Sequence, residues 1–130
     1  MPDQNFTGPV NLVAFGMPDG ADLGEATRQL RKLALGHSAE ILDVDLIVRS
    51  ADGQVSRGTL PPELGALETD LLDDDDLALI GAELSSGESA LAVIYEDRTL
   101  ASLAAALSDA GGRELMAGGI DVSAPEQEEE

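Results

Sequence analysis

The sequence predicts an α+β fold, and three stretches carry that expectation. Residues 10–15 (VNLVAF) and 90–95 (ALAVIY) are short runs with apolar side chains on both alternating faces. Such runs suit strands covered on two sides, and the β-branched pair Val93 and Ile94 favours strand over helix. Leu100, Leu103, Leu107 and Ala110, with Ala104 beside them, recur at helical spacing and form one apolar stripe.

The elements follow in chain order. Pro9 opens the first strand at 10–15, and residues 16–20 (GMPDG) read as a turn. Residues 21–35 read as a helix with Leu23, Ala26, Leu30 and Leu33 as its stripe. Asp22 and Glu25 fall in its first turn, and Arg28, Arg31 and Lys32 toward its end, an order that complements the helix dipole. Gly36 is expected to end it. Residues 41–49 (ILDVDLIVR) alternate most clearly: Leu42, Val44, Leu46 and Val48 are expected in the core, with Ile41, Asp43, Asp45, Ile47 and Arg49 facing away. Residues 50–53 (SADG) form a hairpin turn, and 54–59 return as an edge strand. Pro61 and Pro62 begin a short helical segment. Asp73 to Asp76 start another helix, carrying Leu77, Ile80 and Leu84. After the strand at 90–95, Thr99 or Asp97 is positioned to cap the last helix, and Gly111 or Gly112 to end it in a left-handed conformation. Residues 114–118 read as a weak final strand.

This order resembles a ferredoxin-like βαββαβ core with an added C-terminal helix and strand. Residues 8–122 form the expected single domain, between a flexible segment 1–7 and a disordered acidic tail 123–130. Such a sheet carries helices on one face. The two-sided strands imply that its second face is covered as well, by a partner or an added element.

Composition narrows the function. With 26 acids against 7 bases the formal net charge is −19, which repels nucleic-acid phosphates and anionic lipid. Aromatic residues are Phe6, Phe15 and Tyr95 alone, too few for a base-stacking platform. The absence of cysteine excludes disulfides, thiolate chemistry and cysteine metal centres. No basic segment followed by an apolar run opens the sequence, and no apolar run approaches membrane-spanning length, so a cytoplasmic location is expected.

Few residues suggest chemistry. His37, the sole histidine, suits a general base or metal ligand, though its place just past a helix end equally suits a charge at the C-terminus. Asp43 and Asp45, two apart on one strand, would present both carboxylates on one face. That arrangement fits divalent-cation binding or proton transfer; a solvated face balanced by Arg49 is the more ordinary reading. The run Asp73 to Asp76 departs from a calcium loop, because Leu77 and Ala78 stand where a ligand and a glycine are needed, and reads as an acidic helix start. No glycine-rich nucleotide loop and no nucleophile elbow is present. On the back of the last helix Ala101, Ser102, Ala105 and Ser108 leave a charge-free face of small residues. Good helix propensity explains it, and so does a surface that a second molecule approaches closely.

Four stretches in order, GPVNLVAF at 8–15, DLIVRSADG at 45–53, GESALAVIYE at 87–96 and LAAALSDAGG at 103–112, together resemble the DUF6325 family of small bacterial proteins, related to the DUF1269 group. The likeness spans residues 8–118. It implies an α+β fold and brings no catalytic residues. DUF1269 relatives often carry a glycine-rich apolar hairpin and are called membrane proteins; PPELGALETDLLDDDD at 61–76 departs from that pattern.

The expectation is a small acidic, non-enzymatic interaction or ligand-binding module that self-associates as a homo-oligomer, with a protein as a further possible partner. It uses no cofactor or metal and binds neither nucleic acid nor membrane. The alternative is a small cofactor-free enzyme of the dimeric α+β-barrel kind, with Asp43, Asp45 and His37 around a sheet-face cavity.

Overall fold

A computed structural model describes residues 7–18 and 20–116. The elements are β1 (Val10–Pro18), α1 (Gly24–Leu35), β2 (Ala39–Arg49), β3 (Val55–Arg57), α2 (Pro62–Gly65), α3 (Asp74–Ala82), β4 (Glu88–Asp97) and α4 (Ala101–Asp109). The chain is α+β: four strands form one antiparallel sheet in the order β1-β4-β2-β3. The final strand expected at 114–118 is not formed over 114–116, which have no regular structure. Its last two residues and the expected tail 123–130 lie outside the described residues, as do residues 1–6 of the expected N-terminal segment.

The central strand fits its sequence. Ser89 to Val93 are buried without interruption, so β4 is covered on both faces. On one face Leu91 and Val93 join Val44 of β2, Leu30 of α1, Leu64 of α2 and Leu60 in a cluster flanked by Val13, Met17, Ile41, Leu46 and Tyr95. On the other face Ala90 and Ala92 join Ile47, Leu72 and Leu84, against Leu77 and Ile80 of α3 and Val55 of β3. Helices therefore occupy both faces, and α3 is the element that closes the second one.

That second layer corrects the expected split of β2 into a core face and an outer face. Ile47, expected outside, has no exposed surface and anchors the second cluster. A bulge between Ile41 and Asp43 also shifts the phase of the strand. Ile41 packs on the first cluster instead of facing away, while Leu42 is displaced from the core alternation.

β1 departs from expectation in the opposite sense. Its two-sided apolar pattern predicted cover on both faces, yet Val10, Leu12 and Phe15 are exposed: β1 is an edge strand among the described residues and meets the first cluster through Val13 and Met17. α4 departs too. Its leucine stripe, expected in the core, is 58% exposed at Leu100, 53% at Leu103 and 54% at Leu107. The half-buried side of α4 is instead Ala101, Ala104, Ala105 and Ser108.

Local signals fared better. Asp73 caps α3, its carboxylate accepting from the Asp76 N–H at 2.9 Å, with Asp74, Asp75 and Asp76 in the first turn. Gly111 takes a left-handed φ of 93° after α4, and the Gly112 N–H closes onto Leu107 O at 2.8 Å. Gly36 ends α1 as its C-cap with φ −79°, and the left-handed residue is His37 after it, with φ 61°. Asp97 accepts from the Thr99 N–H at 2.9 Å, but α4 begins after Leu100 with no side-chain cap.

Candidate functional site

The chemistry-bearing groups that the fold brings together are Asp43, Asp45 and Arg57. After the bulge at Leu42, Asp43, Asp45 and Ile47 share the face of β2 that α3 and Leu72 cover. Asp43 is 0% exposed and Asp45 1%. Two ionisable side chains buried side by side need partners, and the neighbouring segments supply them.

Asp43 fastens the connection between α2 and α3. One carboxylate oxygen accepts from the Thr69 N–H at 2.7 Å and the other from the Leu72 N–H at 3.2 Å. Thr69 Oγ1 donates to Leu42 O at 2.6 Å, and Asp70 turns the chain with a left-handed φ of 63°. The carbonyl that the bulge displaces is thus used to hold the same loop. Asp45 faces β3, where Arg57 Nη1 donates to its Oδ1 at 2.9 Å and Arg57 Nη2 donates to Leu72 O at 2.5 Å. Arg57 therefore ties β2, β3 and the 69–72 loop together.

The two carboxyls hydrogen-bond to each other and titrate in opposite directions. Burial, then the hydrogen bond and charge of Asp43, push Asp45 up to about 7 against the opposing pull of Arg57. Burial also works to raise Asp43, but hydrogen bonds from Asp45 and from the Thr69 and Leu72 amides outweigh it and hold that carboxyl below its ordinary value. A protonated Asp45 donating to an ionised Asp43, with Oδ1 still accepting from Arg57, leaves one negative and one positive charge in the cluster. Those bonds make the site a latch for the 69–72 loop.

Arg49, the balancing charge suggested by sequence, takes no part. Its Nη1 donates to Leu84 O at 2.9 Å, at the C-terminal end of α3. The signal that was missed is Arg57: β3 pairs Arg57 with Ile47, so Asp45 is its diagonal neighbour on the same face.

His37 is not brought to the acid pair. It is exposed and borders a hollow of about 340 Å³ with Ala34, Ala39, Glu40, Ile41, Leu67 and Arg98, on the opposite side of the sheet from Asp43 and Asp45. A second hollow of about 540 Å³ lies between the end of β1, the start of α1 and residues 58–61; Asp22 is its one titratable lining residue among the described ones. Neither hollow reaches Asp43 or Asp45. Among the described residues no group of three or more His, Asp or Glu side chains is placed to hold a metal ion, and no helix is long and apolar enough to cross a membrane.

Of the interface candidates, Ala101, Ala105 and Ser108 are half-buried and Ser102 is exposed. The open apolar surface of α4 is its leucine side, which sequence had assigned to the core. No protein-family model, curated protein or solved structure matches the chain.

Proposed function

We propose that this protein is a non-enzymatic interaction module that self-associates. The observation that carries the reading is the leucine stripe of α4, three large apolar side chains each more than half exposed in a chain of net charge −19. An amphipathic helix is stabilised by burying its apolar stripe, and a contiguous exposed one marks an interaction surface. A second copy supplies the missing cover. The small face Ala101, Ala105 and Ser108 lies behind that stripe, with Ser102 on the open side.

The scaffold we infer is ferredoxin-like in β1, α1, β2, β4 and α4. What supports this is the place of β4, between β1 and β2 and antiparallel to both, as in a split βαβ unit; β3 is then an addition on the β2 edge. The order of the four DUF6325-like stretches agrees with such a scaffold, and that resemblance brings no catalytic residue. The enzyme alternative has less support, since the oxygens of Asp43 and Asp45 are engaged with Thr69, Leu72 and Arg57 and neither hollow reaches them.

Native mass spectrometry and light scattering at moderate ionic strength test the reading. The wild-type chain is expected as an oligomer, and the double substitution Leu103→Ser, Leu107→Ser is expected to lower its subunit number. A wild-type chain that stays monomeric at every accessible concentration removes the reading.

A further inference from the structure

We propose that two copies join edge to edge through β1, in an antiparallel β1–β1 pairing that merges their sheets. The proposal rests on the self-association reading above and names the surface that makes it specific.

Among the described residues no strand lies beyond β1, and its hydrogen-bond phase fixes which backbone groups point to that side. The Asp97 N–H donates to Pro9 O at 2.8 Å, and the register continues as Val10 opposite Glu96 and Val13 opposite Val93. In an antiparallel ladder the backbone groups of alternate residues point to the same side. Residues 11, 13, 15 and 17 therefore turn their amides and carbonyls to β4, and Val10, Leu12, Ala14 and Gly16 turn theirs outward. Pro18, which has no N–H, falls in the outward phase, where it costs the ladder nothing.

A second copy fits this edge for two reasons. The first is charge. Two chains of net charge −19 repel, yet residues 7–18 contain no Asp, Glu, Lys or Arg. A basic partner would be steered to the acidic surface, and β1 offers it none. The second is self-complementarity. A two-fold axis at Val13 sets Val10 opposite Gly16 and Leu12 opposite Ala14, and each such pair exchanges two bonds. The result is about eight backbone hydrogen bonds, close to the number in a standard interface. The exposed Val10, Leu12 and Phe15 then gain neighbours across the seam.

Ala14→Pro is the direct test. It removes an outward donor and leaves the bonds to β4 in place. The expected result is a lower subunit number than wild type with the circular dichroism spectrum retained. If Ala14→Pro does not fold, Leu12→Glu replaces it: like charges meeting across the axis should dissociate the pair, and molar salt should restore it. A folded Ala14→Pro with the wild-type subunit number overturns the edge pairing while leaving self-association intact. A monomeric wild type overturns both. Amide exchange on the wild type separates a second copy from intrachain cover. Protection of Leu12, Ala14 and Gly16 that rises with concentration supports the pairing, and protection independent of concentration overturns it.

Discussion

The two edges of the sheet are built in opposite ways. β3 is three residues long and held at both ends. Val55 lies so close to α3 that a Cβ on Gly81 would come within 2.6 Å of its Cγ1, and Arg57 is bonded to Asp45 and to Leu72 O. β1 is nine residues long, carries no charge, and leaves Val10, Leu12 and Phe15 open. A short, charged and covered edge resists pairing with another chain, whereas a long apolar one templates it. The comparison teaches that this molecule protects one edge with buried charge and leaves the other able to pair.

The largest effect is expected from breaking the closed edge. Arg57→Met leaves the Asp43–Asp45 pair buried without its cation, and the loss of one member of such a group costs about 3–5 kcal/mol. Without Arg57 to lower it, Asp45 titrates higher still, so the penalty should grow as pH rises. Urea unfolding near pH 8 checks this; a loss under about 1 kcal/mol would show that Arg57 does not neutralise the pair. Next is Asp43→Asn, which turns an amide donor toward the Thr69 or Leu72 N–H and is expected to cost about 1–3 kcal/mol in the same assay. Stability equal to wild type would mean that the latch does not hold the loop.

Asp45→Asn should behave differently from Asp43→Asn. The folded-state value of about 7 for Asp45 lies above the ordinary carboxyl value of about 3.9. The folded chain therefore holds the extra proton between the two. The contribution of this group is complete below the ordinary value and is lost as pH rises through about 7. Asp43, shifted down, works in reverse: its contribution is present above the ordinary value and lost as pH falls through its folded value. Asparagine at 45 keeps an acceptor for Arg57 and a donor for Asp43 without titrating. The melting temperature of Asp45→Asn relative to wild type should rise between about pH 5 and about pH 8. A flat difference across that range would mean that Asp45 is already ionised in the folded chain.

The smallest effect sharpens the comparison from the open side. Raising ionic strength from about 0.1 M to about 1 M shortens the screening length from about 10 Å to about 3 Å. Repulsion between and within copies weakens, while the buried Arg57–Asp45 bond is little affected. Melting temperature should rise by a few degrees and association should tighten. A melting temperature that stays level or falls with salt would contradict self-repulsion as a cost of the charge.

Much of the fold was legible because its signals are local. The two-sided run of β4, the Asp73 cap, the acidic first turn of α3 and the left-handed Gly111 depend on neighbours within a few residues. The pair Asp43 and Asp45 was equally legible as two carboxylates on one strand face. Its latch role was not, because the partners come from β3 and from the 69–72 loop. A turn confined to residues 50–53 would pair Arg49 with Gln54 and set Arg57 opposite Leu46, on the wrong face. The actual loop runs through Gln54, pairs Arg49 with Val55, and delivers Arg57 to the acids. One residue of register decides it.

The sequence by itself determined the elements from β1 to α4, their order, the acidity and the lack of cofactor-binding motifs, since periodicity, capping and composition act along the chain; the strand it suggested at 114–118 is not formed over 114–116. Only the tertiary structure decided which faces are covered. It placed α3 over Ile47 and the 69–72 loop and Arg57 against Asp43 and Asp45, turned the leucines of α4 outward, and put β1 at the edge of the sheet that the described residues form. A strand or helix pattern states that a face is apolar; what lies against it depends on distant segments, and burial is a property of both.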